Sequence, residues 1–309
     1  FGRQKGHTEL YRGAEYVVES GGAEVSCALR GKMRLACEPG GALPVVGDRV
    51  RFRSEPGGGA RGVRGLVSEV LPRRSILARV DPSHRSGCRV MGANMDRCVL
   101  VFAAREPAFN ARLLDRMLVA AECGSMEPVI CLNKIDIADE RAALERALRP
   151  YRAMGYRVIF SSAVTGEGTL ELADLLAKAA SIFAGPSGTG KTSLISRVQP
   201  GLELAIGEVS ARTGKGKHTT THFELHRMAA GGYLGDTPGF REFGIWGVSK
   251  GALASFFRDF APYRGECRFA SCSHSHEPEC AVKEAVASGA VSRERYESYL
   301  LIYESVPDA

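Results

Sequence analysis

The chain has 309 residues, of which 44% are hydrophobic and 25% charged, with a formal net charge of +6. This length allows two or three domains with a sizeable core, and the composition suits a soluble protein. No apolar run approaches the roughly 18 residues of a membrane helix, so we expect no membrane association. Because the chain begins with Phe1 rather than methionine, we expect its natural start to lie upstream.

The N-terminal region is the most basic part of the chain. Residues 1–80 carry 14 lysines and arginines against 8 aspartates and glutamates. Alternating segments at 15–18, 24–29 and 48–53 predict short strands, separated by Gly-rich turns. About five such strands are most economically arranged as a small barrel, a fold class that binds nucleic acid.

Three arginines in the last of these segments share one strand face, because side chains alternate along a strand. They are Arg49, Arg51 and Arg53. Two interpretations stay open, a solvated face and a surface that contacts RNA phosphates. Base-stacking aromatics are few, so phosphate contact is favoured over base recognition.

A guanine-recognition motif follows the apolar run 129–132, which predicts a buried strand. It is Asn133-Lys134-Ile135-Asp136. The Asp136 carboxylate can accept hydrogen bonds from the ring N1–H and the exocyclic amine of guanine, a pattern that adenine lacks. We expect Asn133 to fix the loop and Lys134 to lie over the base. By itself, the tetrapeptide is equally compatible with a polar loop at a helix start.

A second motif shifts this balance toward GTP. Ser161-Ser162-Ala163 follows the apolar run 158–160. A backbone N–H near Ala163 can meet the guanine O6 oxygen. Together the two motifs predict a strong preference for guanine nucleotides.

Residues 185–192 have the spacing of a phosphate-binding loop, in which two glycines flank four residues and a lysine and a hydroxyl residue follow. Glycines let successive N–H groups point at the phosphates, and the next helix presents its positive end to them. Lys191 is predicted to reach the β- and γ-phosphates and Thr192 to ligate Mg²⁺. The alternative is a Gly-rich turn before a helix. The predicted contacts here are Gly185, Pro186, Ser187, Gly188, Thr189, Gly190, Lys191, Thr192 and Ser193.

Downstream, Asp236-Thr237-Pro238-Gly239 is predicted to sense the γ-phosphate. Asp236 would hold Mg²⁺ through water, and the Gly239 N–H would contact the γ-phosphate. By itself the tetrapeptide is also an ordinary turn sequence.

The segment 213–221 is polar, basic and rich in glycine, so we expect ligands to order it. Thr220 is predicted to complete the Mg²⁺ shell. Many GTPases place a water-orienting Gln where this chain has Phe240, so His218 becomes the candidate for that role. Lys191, Thr220 and His218 are thus the predicted catalytic residues. A solvated loop, or an arm that contacts RNA, remains an alternative.

Four residues near the C-terminus have the spacing C-x4-C-x-H-x5-C. They are Cys267, Cys272, His274 and Cys280. Three thiolates and an imidazole match a closed, structural Zn²⁺ site, with His276 as a rival for the histidine position. The chain has nine cysteines and the six outside this cluster show no pairing pattern, which favours a reducing cytoplasm over disulfides. Helices are predicted at 282–287 and 293–303.

The guanine motifs precede the phosphate loop, whereas they normally follow it, so the sequence predicts a circularly permuted nucleotide site. This order, with the segment KGKHTTT, DTPGF and the Cys/His cluster, resembles the permuted ribosome-associated GTPases known as RsgA or YjeQ. The resemblance implies GTP hydrolysis stimulated by the small ribosomal subunit and a role in its late maturation. It also implies an OB-fold before the GTPase core and a zinc domain after it, and it selects His274 as the ligand.

The predicted fold is therefore a multidomain α/β protein with an OB-fold at 1–80, a permuted GTPase domain at 85–245 and a helical zinc domain at 246–309. We expect a cytoplasmic monomer whose partners are GTP, GDP, and the small subunit with its rRNA. Because the Asp236–Gly239 segment runs into the C-terminal domain, GTP state is expected to affect the position of that domain.

Two other classes of function stay open. One is an RNA-binding assembly factor with a vestigial nucleotide site, which intact Lys191, Thr192 and Asp236 argue against. The other is an ATP-dependent phosphotransferase, which Asn133 with Asp136 argues against.

Overall fold

The computed structural model describes residues 4–12, 15–30, 43–54, 65–80, 88–202, 223–236 and 245–308. Within these ranges the strands form a closed barrel, a six-stranded sheet and a two-stranded hairpin. No helix in the described part of the chain is both long and apolar enough to cross a membrane.

The N-terminal strands close into a barrel in the order β1-β2-β3-β5-β4. Its strands are β1 Gln4–Arg12, β2 Glu15–Ser20, β3 Ala23–Leu29, β4 Arg49–Ser54 and β5 Gly65–Val70. The predicted strands are confirmed, with ends that shift by one or two residues. Val50 and Phe52 point into the barrel core, which places Arg49, Arg51 and Arg53 on its outer face, as predicted.

The hairpin of β6 Ile76–Val80 and β7 Cys88–Ala93 follows the barrel. Hydrogen bonds connect the residues that flank the hairpin to the residues that precede β4 of the barrel. Arg73 donates two hydrogen bonds of 2.8 Å to the buried carboxylate of Asp48. The Asn94 amide donates to the carbonyl of Gly47 at 2.9 Å. Gly47 has a φ of 88°, and a Cβ there would lie 2.0 Å from the Ala93 oxygen, so this approach requires glycine.

The six-stranded sheet has the order β10-β9-β8-β11-β13-β12, in which the strands are parallel except β12. Its strands are β8 Arg97–Ala103, β9 Glu127–Asn133, β10 Arg157–Phe160, β11 Ala180–Ala184, β12 Glu224–Arg227 and β13 Tyr233–Asp236. Burial on both faces explains the continuous apolar runs of β8 and β9.

Helices cover both faces of this sheet. They are α1 Ala111–Cys123, α2 Arg141–Ala153, α3 Thr169–Leu176 and α4 Lys191–Val198. The buried faces of α1 and α2 share a core with Leu100 and Phe102 of β8. Those of α3 and α4 share the opposite core with Val99 and Val101. Because successive side chains of β8 point to opposite faces of the sheet, this one central strand packs against both helical layers.

The C-terminal part is helical around an aromatic core. Its helices are α5 Lys250–Leu253, α6 Ala281–Ala287 and α7 Arg293–Ser305, and 3-10 turns lie at Ala254–Phe256 and Arg258–Phe260. Phe257, Phe260 and Tyr299 pack with ring centroids about 5 Å apart. The two predicted helices are confirmed.

Candidate nucleotide site and metal centre

The sheet brings the sequence motifs to one edge. The guanine motif begins at Asn133, the last residue of β9, and the serine motif begins directly after β10. The phosphate loop begins directly after β11, and β13 ends at Asp236. Parallel strands carry their carboxyl ends to the same edge, where α/β proteins bind nucleotides.

The phosphate loop has the conformation that its glycines predict. Gly185, Gly188 and Gly190 have φ values of 144°, 80° and 84°. A Cβ on Gly185 would lie 2.1 Å from the carbonyl oxygen of Val101, so the loop passes directly over β8. Helix α4 begins at Lys191, directly after the loop, and its first N–H groups face the loop.

The Lys191 ammonium lies inside this loop. Its Nζ donates to the carbonyl oxygens of Gly185 at 2.9 Å and of Pro186 at 2.7 Å. Thr189 Oγ1 also donates to the Pro186 oxygen, at 3.0 Å. Ser187, Gly188, Thr192 and Ser193 are exposed along the loop and the first turn of α4. The loop therefore presents a cation and hydroxyl groups to one space.

Asn133 connects all three motifs. Its side-chain amide donates to the Thr189 oxygen at 2.9 Å, and its Oδ1 accepts from the Ala163 N–H at 3.3 Å. Ser161 Oγ donates to the same Oδ1 at 3.4 Å. A Cβ on Gly190 would lie 2.4 Å from Asn133 Nδ2, so the third loop glycine makes room for this amide.

Asp136 lies in a 3-10 turn, Ile135–Ile137, and is exposed. The Ile135 N–H donates to the Ser161 oxygen at 3.3 Å, which holds this turn against the serine motif. Within the described ranges, no cation pairs with the Asp136 carboxylate. It is therefore available to an external hydrogen-bond donor.

The serine motif is fixed by its own hydroxyl group. Ser162 Oγ accepts from the N–H groups of Val164 at 3.2 Å and Thr165 at 3.1 Å. The Ser162 N–H donates to the Glu167 oxygen at 3.0 Å, which closes the loop. Ser161 and Ser162 are fully buried, and only the residues that follow reach the surface.

Sequence reasoning missed the segment Arg105-Glu106-Pro107. Lys134 has a φ of 62°, and its Nζ donates to the Glu106 carbonyl at 2.6 Å. Arg105 forms an ion pair of 2.9 Å with Asp139. The segment thus contacts residues on both sides of Asp136 in the sequence, Lys134 before it and Asp139 after it. The segment follows β8, which neighbours the strand of the phosphate loop, and only the strand order of the sheet shows that it lies near the site.

Several predicted site residues lie outside the described ranges. They are Thr220, His218 and Gly239, and Phe240 also lies outside these ranges. The predicted Mg²⁺ ligands Thr192, Thr220 and Asp236 offer hydroxyl and carboxylate oxygens, which are the hard donors that Mg²⁺ prefers. The donor chemistry therefore fits the ion.

The metal cluster is assembled as predicted from Cys267, Cys272, His274 and Cys280, whose ligand atoms all lie within 4.8 Å of one another. His274 Nδ1 is 3.5 Å from Cys267 Sγ and 3.4 Å from Cys280 Sγ, and these two sulfurs are 3.8 Å apart. A tetrahedral zinc with ordinary bond lengths gives edges of about 3.5 Å for N–S and about 3.8 Å for S–S. The geometry therefore fits Zn²⁺.

The surrounding residues select and orient the histidine. His276 is exposed and contacts Ser275 Oγ at 3.0 Å, whereas His274 is only 4% exposed. Tyr296 donates its hydroxyl to the His274 carbonyl at 2.7 Å. Burial lowers the pKa of His274, which favours the neutral ring that a metal requires.

A buried ion network joins the C-terminal helices to the core. Arg295 of α7 is 2.6 Å from Asp115 of α1 and 2.8 Å from Asp259. The Tyr151 hydroxyl of α2 donates to the same Asp115 carboxylate at 2.7 Å. Burial raises the pKa of Asp115, and the charge of Arg295 opposes this shift. Four segments of the fold, namely α1, α2, the 3-10 turn Arg258–Phe260 and α7, thus meet in this network.

Comparison with known proteins gives the same fold over nearly the whole chain. The crystal structure of YjeQ from Thermotoga maritima matches with a TM-score of 0.79 and 32% identity, over 99% of each chain. The structure of YloQ, described as a circularly permuted GTPase, matches with a TM-score of 0.76 and 27% identity, over 99% of this chain and 95% of the other.

Curated relatives match at higher identity. A protein of Caldanaerobacter subterraneus subsp. tengcongensis is 40% identical over 95% of this chain and 92% of its own. One of Moorella thermoacetica is 42% identical over 95% of this chain and 94% of its own. Both are named small ribosomal subunit biogenesis GTPase RsgA. The family model described as RsgA GTPase matches residues 70–246. The resemblance drawn from the motifs is confirmed, and the chain belongs to the RsgA GTPase family.

Proposed function

We propose that this protein binds the small ribosomal subunit and hydrolyses GTP to GDP and phosphate during late assembly of that subunit. The observation that carries the proposal is the Asn133 side chain, which hydrogen-bonds the phosphate loop and the serine motif at one edge of the sheet. A phosphate-binding segment and a guanine-reading segment are thereby held at a fixed separation. The names of the relatives supply the ribosomal context.

Guanine recognition is assigned to Asp136 and the Ala163 N–H. The exposed carboxylate accepts from N1–H and the exocyclic amine, and the Ala163 N–H, which is 3.3 Å from Asn133 Oδ1, is shared between that oxygen and the guanine O6. Lys134 lies over the base, and its contact with Glu106 fixes its direction. Adenine presents an acceptor where guanine has N1–H and a donor where guanine has O6, so ATP leaves both Asp136 and the backbone N–H unpaired and is disfavoured.

Phosphate binding is assigned to the backbone N–H groups of residues 185–193 other than Pro186, and to Lys191, which exchanges its loop carbonyls for phosphate oxygens. Mg²⁺ would supply positive charge that neutralises the phosphate oxygens. Thr192, Thr220 and Asp236 would hold it. The Gly239 N–H contacts the γ-phosphate, and its contact is lost after hydrolysis.

We assign to His218 the role of orienting the attacking water. The chain has Phe240 where many GTPases have a glutamine, and a phenyl ring offers no side-chain hydrogen bond. His218 adjoins the threonines that include Thr220, and an imidazole can hold a water at neutral pH.

We assign the flanking regions to binding of the ribosome. The barrel order β1-β2-β3-β5-β4 supports an OB-fold at about 1–80 that contacts rRNA phosphates, ahead of a GTPase domain at 85–245. The Cys3His cluster supports one structural Zn²⁺ in a helical domain at 246–309. We further propose a cytoplasmic monomer whose GTP state affects the position of the C-terminal domain.

Nucleotide turnover tests the proposal directly. GTP and ATP hydrolysis would be measured with no addition, with small ribosomal subunits and with large subunits as control. The expected result is GTP-specific turnover that only small subunits stimulate. Subunit binding without turnover would support the assembly factor with a vestigial site. Turnover of ATP at a rate equal to that of GTP would support the phosphotransferase. Lys191→Ala supplies the inactive control.

A further inference from the structure

The ring of Phe223 lies between two glycines from different parts of the chain. Phe223 is only 6% exposed and directly precedes β12. A Cβ on Gly92 of β7 would lie 2.5 Å from Phe223 Cε1, and a Cβ on Gly235 of β13 would lie 2.7 Å from Phe223 Cζ. The ring therefore fills the space that a side chain would need at either position.

Space, rather than backbone conformation, explains glycine at both positions. Neither Gly92 nor Gly235 has a φ in the left-handed region that favours glycine. The three atoms nearest to a Cβ on Gly92 all belong to the Phe223 ring. Because protein interiors are close-packed, a group added at Gly92 must displace this ring or the strands around it.

The two glycines belong to structures with different roles. Gly92 lies in the hairpin and forms a parallel bridge with Val46, which precedes β4 of the barrel. Gly235 directly precedes Asp236 and pairs with Ile182 of β11, the strand that leads into the phosphate loop. One ring therefore packs against both the N-terminal hairpin and the strand that carries Asp236.

The register of β12 with β13 places this ring at the edge of the sheet where the nucleotide motifs meet. Glu224, the first residue of β12, lies opposite Asp236, the last residue of β13. Phe223 therefore stands beside the carboxyl end of β13. It shares the core of Leu225, two residues along the same strand.

We propose that Phe223 is a positioning residue for GTP hydrolysis. Its ring fixes the backbone of β13 at Gly235, and so makes the position of Asp236 depend on how the hairpin packs against the sheet. Because Asp236 is assigned as a Mg²⁺ ligand, the inference deepens the proposed function and rests on it. A misplacement of about 1 Å can cost about 10²-fold in rate, so this contact is sufficient to control turnover.

Gly92→Ala tests the contact from the hairpin side and changes no residue assigned to nucleotide or metal binding. Binding of a non-hydrolysable GTP analogue would be titrated at a series of Mg²⁺ concentrations and without Mg²⁺. The Mg²⁺ concentration required for half-maximal binding should rise about 10-fold, the lower end of the range for residues that orient metal ligands. Affinity without Mg²⁺ should stay within a few-fold, because the base and phosphate-loop contacts are intact. Turnover stimulated by small subunits should fall about 10-fold at saturating GTP.

Phe223→Leu supplies the second half of the test, since it removes the ring and retains a large apolar side chain. It should itself raise the Mg²⁺ requirement. Gly92→Ala should then cause no further rise in the Phe223→Leu background, because the atoms that its methyl group displaces are gone. Equal effects of Gly92→Ala in the two backgrounds would overturn the proposal. If Gly92→Ala did not fold, an unchanged Mg²⁺ requirement in Phe223→Leu alone would overturn it.

Gly124→Ala is the matched control. A Cβ there would lie 2.5 Å from the carbonyl oxygen of Ile76, and the Phe223 ring is not among the atoms nearest to it. The variant therefore crowds the same hairpin at the start of β6. Like Gly92→Ala, it should lower the free energy of unfolding, measured by chemical denaturation, but it should leave the Mg²⁺ requirement unchanged. An equal rise for both variants would reject a specific role of Phe223, because loosening of the hairpin would then be sufficient.

The unchanged chain separates this inference from the proposed function. If Mg²⁺ does not tighten binding of the GTP analogue and small subunits do not stimulate turnover, the proposed function fails and the role of Phe223 fails with it. If the unchanged chain shows both effects and Gly92→Ala and Phe223→Leu match it in both, the function stands and only the role of Phe223 is rejected.

Discussion

The candidate nucleotide site and the Cys3His cluster are assembled in opposite ways. Asn133 reaches Thr189, 56 residues away, and Ala163, 30 residues away, because the parallel sheet brings their strands together. The predicted metal ligands lie within the 14 residues from Cys267 to Cys280 and meet by local turns. The candidate nucleotide site therefore depends on the global fold. The Cys3His cluster depends instead on the metal ion that its thiols and imidazole are expected to bind.

This difference predicts that loss of metal binding at the Cys3His cluster leaves nucleotide binding intact, and that loss of nucleotide binding leaves the cluster intact. Polar atoms of the nucleotide site hydrogen-bond one another across the sheet. The thiols and imidazole of the cluster mainly face one another. Only a shared metal ion would make that arrangement strongly favourable.

The largest expected effect is that of metal removal. Structural zinc contributes about 10–16 kcal/mol in zinc-finger peptides, so Cys272→Ala or a chelator should disorder residues beyond about 250. GTP affinity should stay within a few-fold of its original value. Hydrogen exchange along the chain and nucleotide titration measure the two quantities.

The matched control for the metal is Cys123→Ala, which removes a partly buried thiol at the end of α1, outside the cluster. It should leave the exchange pattern of the C-terminal helices unchanged. Metal analysis should find one zinc per chain in protein purified without chelator. A metal-free preparation with an ordered C-terminal region would contradict the assignment.

Asp136→Asn should have the next largest effect. The substituted amide cannot accept from both guanine donors, so GTP affinity should fall by roughly 10³-fold or more. Affinity for a xanthine nucleotide should rise, because its hydrogen-bond pattern is reversed at that edge. Titration with GTP, ATP and xanthosine triphosphate measures the change.

Asp139→Asn is the control for this variant, since it removes a neighbouring exposed carboxylate that pairs with Arg105. It should retain guanine preference. If Asp139→Asn and Asp136→Asn lost GTP affinity equally, general loss of charge in the loop would be the better explanation. Equal binding of ATP and GTP by the unchanged chain would reject the guanine assignment itself.

The ion network at Arg295 tests whether the two regions are independent. Arg295→Met leaves the carboxylates of Asp115 and Asp259 without their shared cation. Removing one partner of a buried pair costs about 3–5 kcal/mol, so the free energy of unfolding should fall by that amount. Chemical denaturation measures it, and Arg293→Met, at an exposed position of the same helix, should cost little.

Nucleotide affinity of Arg295→Met decides the structural question. If the C-terminal helices are only attached to α1 and α2, GTP binding should be unchanged below the unfolding transition. A large loss of GTP affinity in folded protein would show that the network supports the nucleotide site, and the contrast between local and global assembly would then be wrong.

Much of the nucleotide site was predictable because its signals are local. Gly188 and Gly190 adopt positive φ values, which glycine tolerates better than other residues, and the glycine spacing of the loop motif predicts such a conformation. The apolar runs 129–132 and 158–160 predicted the buried strands β9 and β10. The clustering of the three cysteines and one histidine was predictable for the same reason. His274 was not separable from His276 by spacing, and its burial resolves the choice.

Contacts between distant segments were not predictable. No residue pattern links Lys134 with the Glu106 carbonyl, because a backbone acceptor has no sequence signal. Arg295 and Asp115 are 180 residues apart, and many other charged residues could have paired with either. The pairing of Arg51 with Glu69 likewise depends on the order of strands in the barrel, with β5 beside β4.

The smallest expected effect concerns a residue outside the described ranges. His218→Ala should leave GTP affinity within a few-fold, since the base and phosphate contacts do not involve it. Turnover stimulated by small subunits should fall by roughly 10²-fold, the range expected for a positioned acid or base. Single-turnover hydrolysis at saturating GTP, with subunit binding verified separately, measures this.

His226→Ala is the control for His218, because it removes a histidine from β12, away from the carboxyl edge where the motifs meet. It should retain stimulated turnover. If His218→Ala also retained it while still binding subunits, the water would have to be oriented by a group from the ribosome. This chain would then supply nucleotide recognition through the contacts of Asn133 and Asp136, and its partner would complete the chemistry.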